Sequence, residues 1–224
     1  MSAMKEFGKP LLCVALLLGV QWHADAAADE YAAIREKLQA CFGCHGENGR
    51  SENPEIPILA GQHLYYTYVQ LKDFQAGRRV SPIMTEIMTG LTAEDILAKG
   101  FQAARADAPV MSEVATILTK DEMWMMATFF SQQKWPNIGY REDPGKAKRG
   151  ETATVAGQCV QCHRGGYEGD SRVPRLAGQY AEYLNKTMSD FKSKERNNSA
   201  AKSSLMASYS DQDIAAMADY LAGM

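Results

Sequence analysis

The most informative feature of the sequence is a Cys-x-x-Cys-His motif that occurs twice, at residues 41–45 and 159–163. This motif is the attachment signature of a c-type haem. Its spacing brings two thiols to the vinyl groups on one porphyrin edge and places an imidazole beside them, on the same helical turn, as an iron ligand. The motifs therefore predict two covalently bound haem c groups. The candidate residues are Cys41, Cys44, Cys159 and Cys162 for the covalent bonds, and His45 and His163 as proximal iron ligands.

Cys-x-x-Cys pairs also occur in zinc sites and in redox-active dithiols. A zinc site would need four ligands close together, but the two pairs lie 118 positions apart in the chain. A thioredoxin-like dithiol would need a βαβ context, and the sequence has no strand pattern. Haem attachment is therefore the interpretation that fits both motifs.

The remaining cysteines and histidines limit the ligand chemistry further. Of the five cysteines, only Cys13 lies outside the motifs, so no pair is left for a disulfide. Of the four histidines, His23 belongs to the signal region described below, and His63 is expected on the surface of a helix. Neither haem is therefore expected to have two histidine ligands.

The first 26 residues have the pattern of a secretory signal peptide. Two lysines precede an apolar run over residues 11–20, and small residues that fit an Ala-x-Ala cleavage site follow it. This run is too short to cross a bilayer, although an uncleaved membrane anchor is the alternative. A periplasmic location is expected, because c-type haem is attached to proteins outside the bacterial cytoplasm.

The chain length and the net charge limit the number of domains and the kinds of partner that are expected. The chain has 224 residues, which is enough for one large domain or two small ones. Its formal net charge is −3, and the basic residues are interspersed with acidic ones. Without a basic stripe, nucleic acid is not an expected partner.

The periodicity of the apolar residues predicts an all-α chain. Thr92 and Thr119 stand at the starts of two predicted helices, where threonine is a good N-cap. The stretch 135–150 is rich in proline, glycine and mixed charges, which is typical of a linker. Helices are expected over residues 31–40, 62–74, 92–104, 120–133, 179–191 and 211–221.

The two halves of the sequence can be aligned with each other. Residues 57–62, Pro-Ile-Leu-Ala-Gly-Gln, match residues 174–179, Pro-Arg-Leu-Ala-Gly-Gln, and Asp-Phe follows near the end of the next helix in both halves. Each half is therefore predicted to be one haem domain. The predicted boundaries are 1–26 for the signal peptide, 27–135 for domain 1, 136–148 for the linker and 149–224 for domain 2.

Through these motifs, residues 31–224 resemble the diheme cytochromes of the c4 type and the diheme subunit of flavocytochrome c sulfide dehydrogenase. The resemblance implies two tandem class I cytochrome c domains that face each other and pass electrons in the periplasm. It also implies that a proline carbonyl holds each proximal histidine and that a leucine packs against each porphyrin. The residues at these positions are Pro57 and Leu59 in domain 1, and Pro174 and Leu176 in domain 2.

The resemblance implies a methionine as the distal ligand of each iron, and two methionines of domain 1 compete for that role. Met84 lies 39 residues after His45, at the expected place. However, residues 74–92 recur as residues 101–119, a 27-residue internal duplication in which Met111 is the twin of Met84. Met84 is favoured, and Met111 is the alternative.

In domain 2 the same count from His163 reaches Lys202 instead of a methionine. Met206 lies one helical turn further along and is favoured, because methionine is the commoner partner. Lys202 is the alternative if burial lowers the pKa of its amine enough, and an open position is the third hypothesis. Loss of methionine ligation would lower the reduction potential of this haem, so that the two haems would differ in potential.

The function favoured by these residues is electron transfer by a carrier that is not itself an enzyme. The expected partners are redox proteins of a respiratory or sulfur-oxidising chain, such as a quinol-oxidising complex, a terminal oxidase or a flavoprotein. A peripheral association with the membrane is compatible with such partners. The alternatives are an electron-transfer subunit of a flavocytochrome c-like dehydrogenase, and a diheme enzyme such as a thiosulfate dehydrogenase, which would need an exchangeable iron position.

Overall fold

The computed structural model of the protein describes residues 30–79 and 118–224. The described residues from Ile34 onward belong to one compact unit. Several of the predictions above fall outside the described residues: the signal peptide over 1–26, the helix over 92–104 with its Thr92 cap, most of the internal duplication, and both Met84 and Met111.

Helices dominate the described residues, which contain one isolated β-bridge, between Asp170 and Val173, and no strand. The all-α prediction is therefore confirmed for this part of the chain. The helices are α1 (Arg35–His45), α2 (Leu64–Gln75), α3 (Lys120–Gln132), α4 (Pro144–Ala156), α5 (Val160–His163), α6 (Ala181–Ser193), α7 (Ala200–Ala207) and α8 (Asp211–Ala222), with short 3-10 turns at Ala32–Ile34 and Glu47–Gly49.

Two helices begin with a capping box, in which the cap side chain and the residue three positions later bond each other's backbone N–H groups. At α3 the pair is Thr119 and Glu122, so the predicted threonine cap is confirmed. At α8 the pair is Ser210 and Asp213. The last long helix of each half is therefore fixed at its start by local sequence.

Helix α4 begins at Pro144, inside the stretch that its proline and glycine content marked as a linker. Asp143 accepts hydrogen bonds from the backbone of Gly145 and Lys146, and proline occupies the first helical turn. Aspartate at the N-cap followed by proline is a favourable helix start. Residues 144–150, which the sequence predicts as part of a linker, are therefore helical, because the same residue types here start a helix.

Helix α7 was not predicted from the sequence. It has only eight residues, with Ser199 as its N-cap and two serines inside it, and its apolar pattern is too short to be periodic. It packs against α6. This position matters because α7 carries both candidate distal ligands of domain 2.

The first half packs α2 against α3 and places α1 against the aromatic side chains of α3. The Phe42 ring lies 5.8 Å from that of Phe129 and 6.3 Å from that of Phe130. Because Phe42 is the second residue of the first haem motif, these contacts fix the motif on the helical core of domain 1.

The second half is built on α8, which packs against α4 and α6. Gly150 allows the close crossing of α4 and α8, since a Cβ atom there would lie 2.1 Å from the carbonyl oxygen of Ala216. The segment just before α4 is also bonded to α8, through Asp219. The Tyr140 hydroxyl donates to the Asp219 carboxylate over 2.6 Å, and the Asp143 amide donates to the same carboxylate over 3.0 Å. None of the described helices is long and apolar enough to cross a membrane.

Candidate haem centres

The first motif occupies the last turns of α1, which ends at His45. The imidazole is 5% exposed, and its Nδ1 lies 2.9 Å from the carbonyl oxygen of Pro57. A carbonyl can only accept, so Nδ1 carries the proton and Nε2 keeps its lone pair for a metal. Burial lowers the pKa of His45 to about 4, against the opposing effect of the Pro57 hydrogen bond. The imidazole is therefore neutral, as an iron ligand must be.

The second motif repeats this arrangement on the one-turn helix α5. His163 Nδ1 lies 2.9 Å from the carbonyl oxygen of Pro174. Burial lowers the pKa of His163 to about 4, and the charge of Lys202 adds to the effect. Both prolines thus make the hydrogen bond that the resemblance implies, and both histidines present the same free nitrogen.

The chain turns away sharply after each histidine, with φ of +73° at Gly46 and +65° at Arg164. At Gly46 a Cβ atom would lie 2.2 Å from the carbonyl oxygen of Arg50, so glycine is required there. After this turn the chain returns to the proline whose carbonyl oxygen accepts the hydrogen bond from the histidine.

The four motif thiols are free of disulfide bonds. Burial raises the pKa of Cys41 to about 12 and also raises the pKa values of Cys44 and Cys159. A reactive dithiol needs a lowered thiol pKa, so these shifts argue against a redox-active Cys-x-x-Cys. Within the described residues, no group of three or more His, Cys, Asp or Glu side chains is arranged to hold a metal ion on its own.

Both motifs open onto one continuous cavity of about 380 Å³. Its wall includes Pro57 and Leu59 from the first half and Pro174 and Leu176 from the second. The hydroxyl of Thr67, also on this wall, is buried and has no hydrogen-bond partner among the described residues. Paired thiols, a free imidazole nitrogen, an apolar wall and an unsatisfied hydroxyl together fit a porphyrin at each motif.

The two candidate distal ligands of domain 2, Lys202 and Met206, lie one turn apart on α7, and both line this cavity. Met206 is 7% exposed and packs among Phe191, Ile214 and Met217. The Lys202 amine lies 5.5 Å from the centre of the Phe191 ring. Burial lowers the pKa of Lys202 to about 8, with a further contribution from nearby arginines. For domain 1, Met84 and Met111 lie outside the described residues.

A pair of buried glutamines joins the two halves next to the motifs. Gln179 donates to the carbonyl of Ile58 over 3.1 Å and accepts from its amide over 3.0 Å. Gln62 does the same with Arg175, at 3.1 and 3.0 Å. Gln62 and Gln179 are the last residues of the matched segments, 117 positions apart, so the interface has the internal symmetry of the sequence repeat.

His63, which the sequence predicts on the surface of a helix, lies at the start of one and also contacts the other half of the chain. It is the N-cap residue of α2, is half-buried, and its Nε2 donates to the carbonyl of Glu168 over 2.8 Å. The matched residue Tyr180 donates its hydroxyl to the carbonyl of Ser51 over 2.6 Å. The residue after each glutamine therefore adds a second bond across the interface.

Sequence reasoning missed a further set of interface residues on the cavity wall. They are two tyrosines and two arginines. The two tyrosines are 117 positions apart in the sequence, and so are the two arginines, so a longer alignment of the two halves would have paired them. These residues are Tyr66, Arg79, Tyr183 and Arg196.

Comparison with known proteins agrees with this geometry. The family model of cytochrome c matches residues 32–134 and 147–224. The chain is 30% identical to cytochrome c4 of Azotobacter vinelandii, over 96% of this chain and 99% of that one. It is 31% identical to cytochrome c4 of Pseudomonas aeruginosa, over 96% and 98% of the two chains.

The fold is also similar to that of solved cytochromes. Reduced recombinant cytochrome c4 from Pseudomonas stutzeri superposes with a TM-score of 0.66 at 29% identity, over 90% of this chain and 98% of that one. The chain therefore belongs to the cytochrome c family, and within it to the diheme c4 type. It consists of two tandem class I cytochrome c domains with two covalently bound haem c groups, and it is an electron-transfer protein.

Proposed function

We propose that the protein is a periplasmic electron carrier of a respiratory or sulfur-oxidising chain, with Cys41, Cys44 and His45 holding one haem and Cys159, Cys162 and His163 the other. The observation that supports this most directly is the single cavity onto which both motifs open. Haem c supplies a one-electron redox centre when bound. Two such centres beside one cavity allow an electron to enter from a donor protein at one half of the chain and to leave to an acceptor protein at the other half.

Each half of the chain positions and protects its iron ligand. Pro57 and Pro174 fix the orientation and tautomer of the proximal histidines, while Leu59 and Leu176 exclude water from the cavity wall. The glutamine pair keeps the two halves in one arrangement, which limits the structural change on electron transfer.

The sulfur-oxidising role is supported by two relatives whose names state a partner. The chain is 28% identical to the thiosulfate dehydrogenase electron acceptor of Stutzerimonas stutzeri, over 99% of this chain and 97% of that one. It is 27% identical to the protein of the same name from Thiomonas intermedia, over 78% and 71%. A thiosulfate-oxidising enzyme is therefore the first donor to test.

We expect the oxidised protein to accept two electrons when thiosulfate and a thiosulfate dehydrogenase are added together, because each of its two haem irons takes up one electron from the thiosulfate that the dehydrogenase oxidises. Stopped-flow absorption at the haem bands measures the rate and the number of electrons. Thiosulfate without the dehydrogenase is the control. Reduction by thiosulfate alone would identify an enzyme instead of a carrier, and stable co-purification with a flavoprotein would favour the alternative of a dehydrogenase subunit.

For the distal positions, Met84 is proposed for the first haem, with Met111 as the alternative, and Met206 for the second, with Lys202 as the alternative. We expect Met206→Leu to abolish the long-wavelength absorption band of methionine-ligated ferric haem at one of the two haems. Because a thioether favours ferrous iron, the potential of that haem should fall by at least a tenfold change in its reduction equilibrium, about 59 mV for one electron.

Lys202→Gln, on the same face of α7, is the matched control and should leave the band and the electron paramagnetic resonance spectrum unchanged. The reverse outcome, in which Lys202→Gln alters the low-spin signal of one haem and Met206→Leu does not, would assign the amine as the ligand. A high-spin signal in the unmodified protein would indicate an open iron position.

A further inference from the structure

Three aromatic side chains of the first half form a cluster at the surface, two of them on α2 and one on α3. The ring of Trp124 lies 5.3 Å from that of Tyr65 and 5.3 Å from that of Tyr68, edge-to-face with both. Tyr65 is 48% exposed and Trp124 is 39% exposed, while Tyr68 is half-buried. These three residues, the aromatic patch, therefore present large apolar rings with polar tips to solvent.

The second half has no such patch at the matched positions. The alignment of the two halves on α2 and α6, and on the capping boxes of α3 and α8, places a polar or small residue at each of them. The matched residues are Glu182 for Tyr65, Asn185 for Tyr68 and Ala215 for Trp124. Because a domain of the same family is built with these residues, its fold does not require the three rings. Exposed aromatic rings that the core does not need are typical of a surface that binds another protein.

The aromatic patch lies one helix away from the site of the first haem. Tyr66, Thr67 and Leu71 line the cavity from one face of α2. Tyr65 and Tyr68 belong to the opposite face of the same helix and do not line the cavity. An α-helix with its side chains is about 10–12 Å across. A redox protein that docked on the patch would therefore bring its own redox centre towards the first haem, and electron transfer is fast only over short distances.

Two lysines at the edge of the aromatic patch carry positive charge. The Lys72 amine lies 5.5 Å from the centre of the Tyr68 ring. Lys120 lies four residues before Trp124 on α3, and residues at this spacing share a face of a helix. Both lysines are exposed, and neither forms an ion pair with another residue in the part of the chain that the structure describes.

The acidic residues at the start of α3 do not cancel this charge. Asp121 and Glu122 lie in its first turn. Glu122 is already paired with Lys37 over 2.7 Å, which leaves the exposed Asp121 against the two lysines among the described residues. The edge of the patch therefore keeps an excess of positive charge, and this charge is complementary to a partner that has carboxylates around its contact region.

We propose that the aromatic patch, with Lys72 and Lys120, is the docking surface for the protein that donates electrons to the first haem, and that this donor has an apolar contact region bordered by carboxylates. The proposal rests on the proposed function of the chain as an electron carrier. The rings supply the apolar centre of the interface, and the lysines steer the donor into the correct orientation. An interface of this small size releases the donor after each transfer, as a carrier requires.

The test uses the full-length holoprotein with Tyr65→Gln, Tyr68→Asn and Trp124→Ala, which follow the residues of the second half but leave the net charge unchanged. A thiosulfate dehydrogenase with excess thiosulfate is the donor, and stopped-flow absorption gives the second-order rate constant of haem reduction. This rate constant should fall by about tenfold or more, because exposed aromatic residues carry much of the binding energy of an interface. The matched control is Glu182→Gln in the second half, which should change it by less than about twofold. Reduction by dithionite, which needs no docking surface, should be equally fast in all of these proteins.

A second variant, Lys72→Gln with Lys120→Gln, changes only exposed side chains and does not depend on how the aromatic variant folds. It should lower the rate constant at low salt and have no effect at high salt, because salt screens exposed charges. An unchanged or higher rate constant at low salt overturns the proposal, and so do equal rate constants for the aromatic variant and Glu182→Gln. If the dehydrogenase does not reduce even the unmodified protein, the proposed function fails, which separates that outcome from the failure of the docking surface alone.

Discussion

A variant that lacks both thiols of the second motif, Cys159→Ala with Cys162→Ala, is expected to carry one haem instead of two and to lose the folded state of its second half. In the proposed attachment, two thioether bonds hold the porphyrin at this motif, and without them only the imidazole of His163 would be left as an anchor. The second half would then have to fold around an unfilled part of the cavity.

The cost of the missing haem is large compared with the stability of a small domain. The cavity of about 380 Å³ is lined by both halves. At about 24 cal/mol per Å³, a sealed and empty cavity of this size would cost about 9 kcal/mol. This is the upper limit for a cleft that is partly open to solvent, and one haem accounts for roughly half of it. Folded domains are stable by only about 5–15 kcal/mol, so the second half is expected to unfold or become molten.

Intact-mass spectrometry and far-UV circular dichroism of the purified variant measure haem content and helix content. The single variant Cys162→Ala is the matched control, because one thioether bond remains; it should keep two haems and nearly all of its helix. A double variant that retained the mass of two haems, or the helix content of the unmodified protein, would contradict the assignment of these thiols.

The haem motifs and the helices around them could be predicted because they depend on local sequence. The Cys-x-x-Cys-His spacing requires one helical turn, and α5 is that turn. Thr119 was recognisable as an N-cap because its box partner Glu122 lies three residues away. The match between the Leu-Ala-Gly-Gln segments indicated two similar halves, which the family comparison confirms.

Features that depend on contacts between distant residues were not predictable in this way. Nothing near Gln179 in the sequence shows that its side chain bonds the backbone of Ile58, 121 positions away. Helix α7 is too short and too rich in serine for a periodic pattern, and its position depends on packing against α6. The charge of Arg196 looks like an ordinary surface charge until its burial is known.

Replacing Gln179 with leucine is expected to lower the free energy of unfolding by about 3 kcal/mol. Gln179 is 2% exposed, and its amide satisfies both the N–H and the C=O of Ile58, which is fully buried. Leucine fits the volume but leaves both backbone groups without partners, and each buried unsatisfied group costs about 1–3 kcal/mol. For a chain of this length, the loss corresponds to a decrease of about 6–12 °C in the melting temperature.

Gln62→Leu should have a similar effect, because Gln62 makes the same pair of bonds to Arg175. The double variant distinguishes two roles of the pair. If each glutamine stabilises only its own half, the two losses should add. If the pair holds the halves together, the second substitution should cost less than the first, since an interface that has already opened has no further bond to lose, and calorimetry should resolve two separate transitions. We expect the second result, because all four backbone bonds cross the interface.

Gln212→Leu is the control, since Gln212 is exposed and makes one side-chain bond, to Arg149. Its melting temperature should stay close to that of the unmodified protein. The covalent haem content should be unchanged in all of these variants, because neither glutamine belongs to a haem motif. Equal melting temperatures for Gln179→Leu and Gln212→Leu would show that the buried amide does not stabilise the interface, and the arrangement of the two haem domains would then depend on the contacts of His63 and Tyr180 instead.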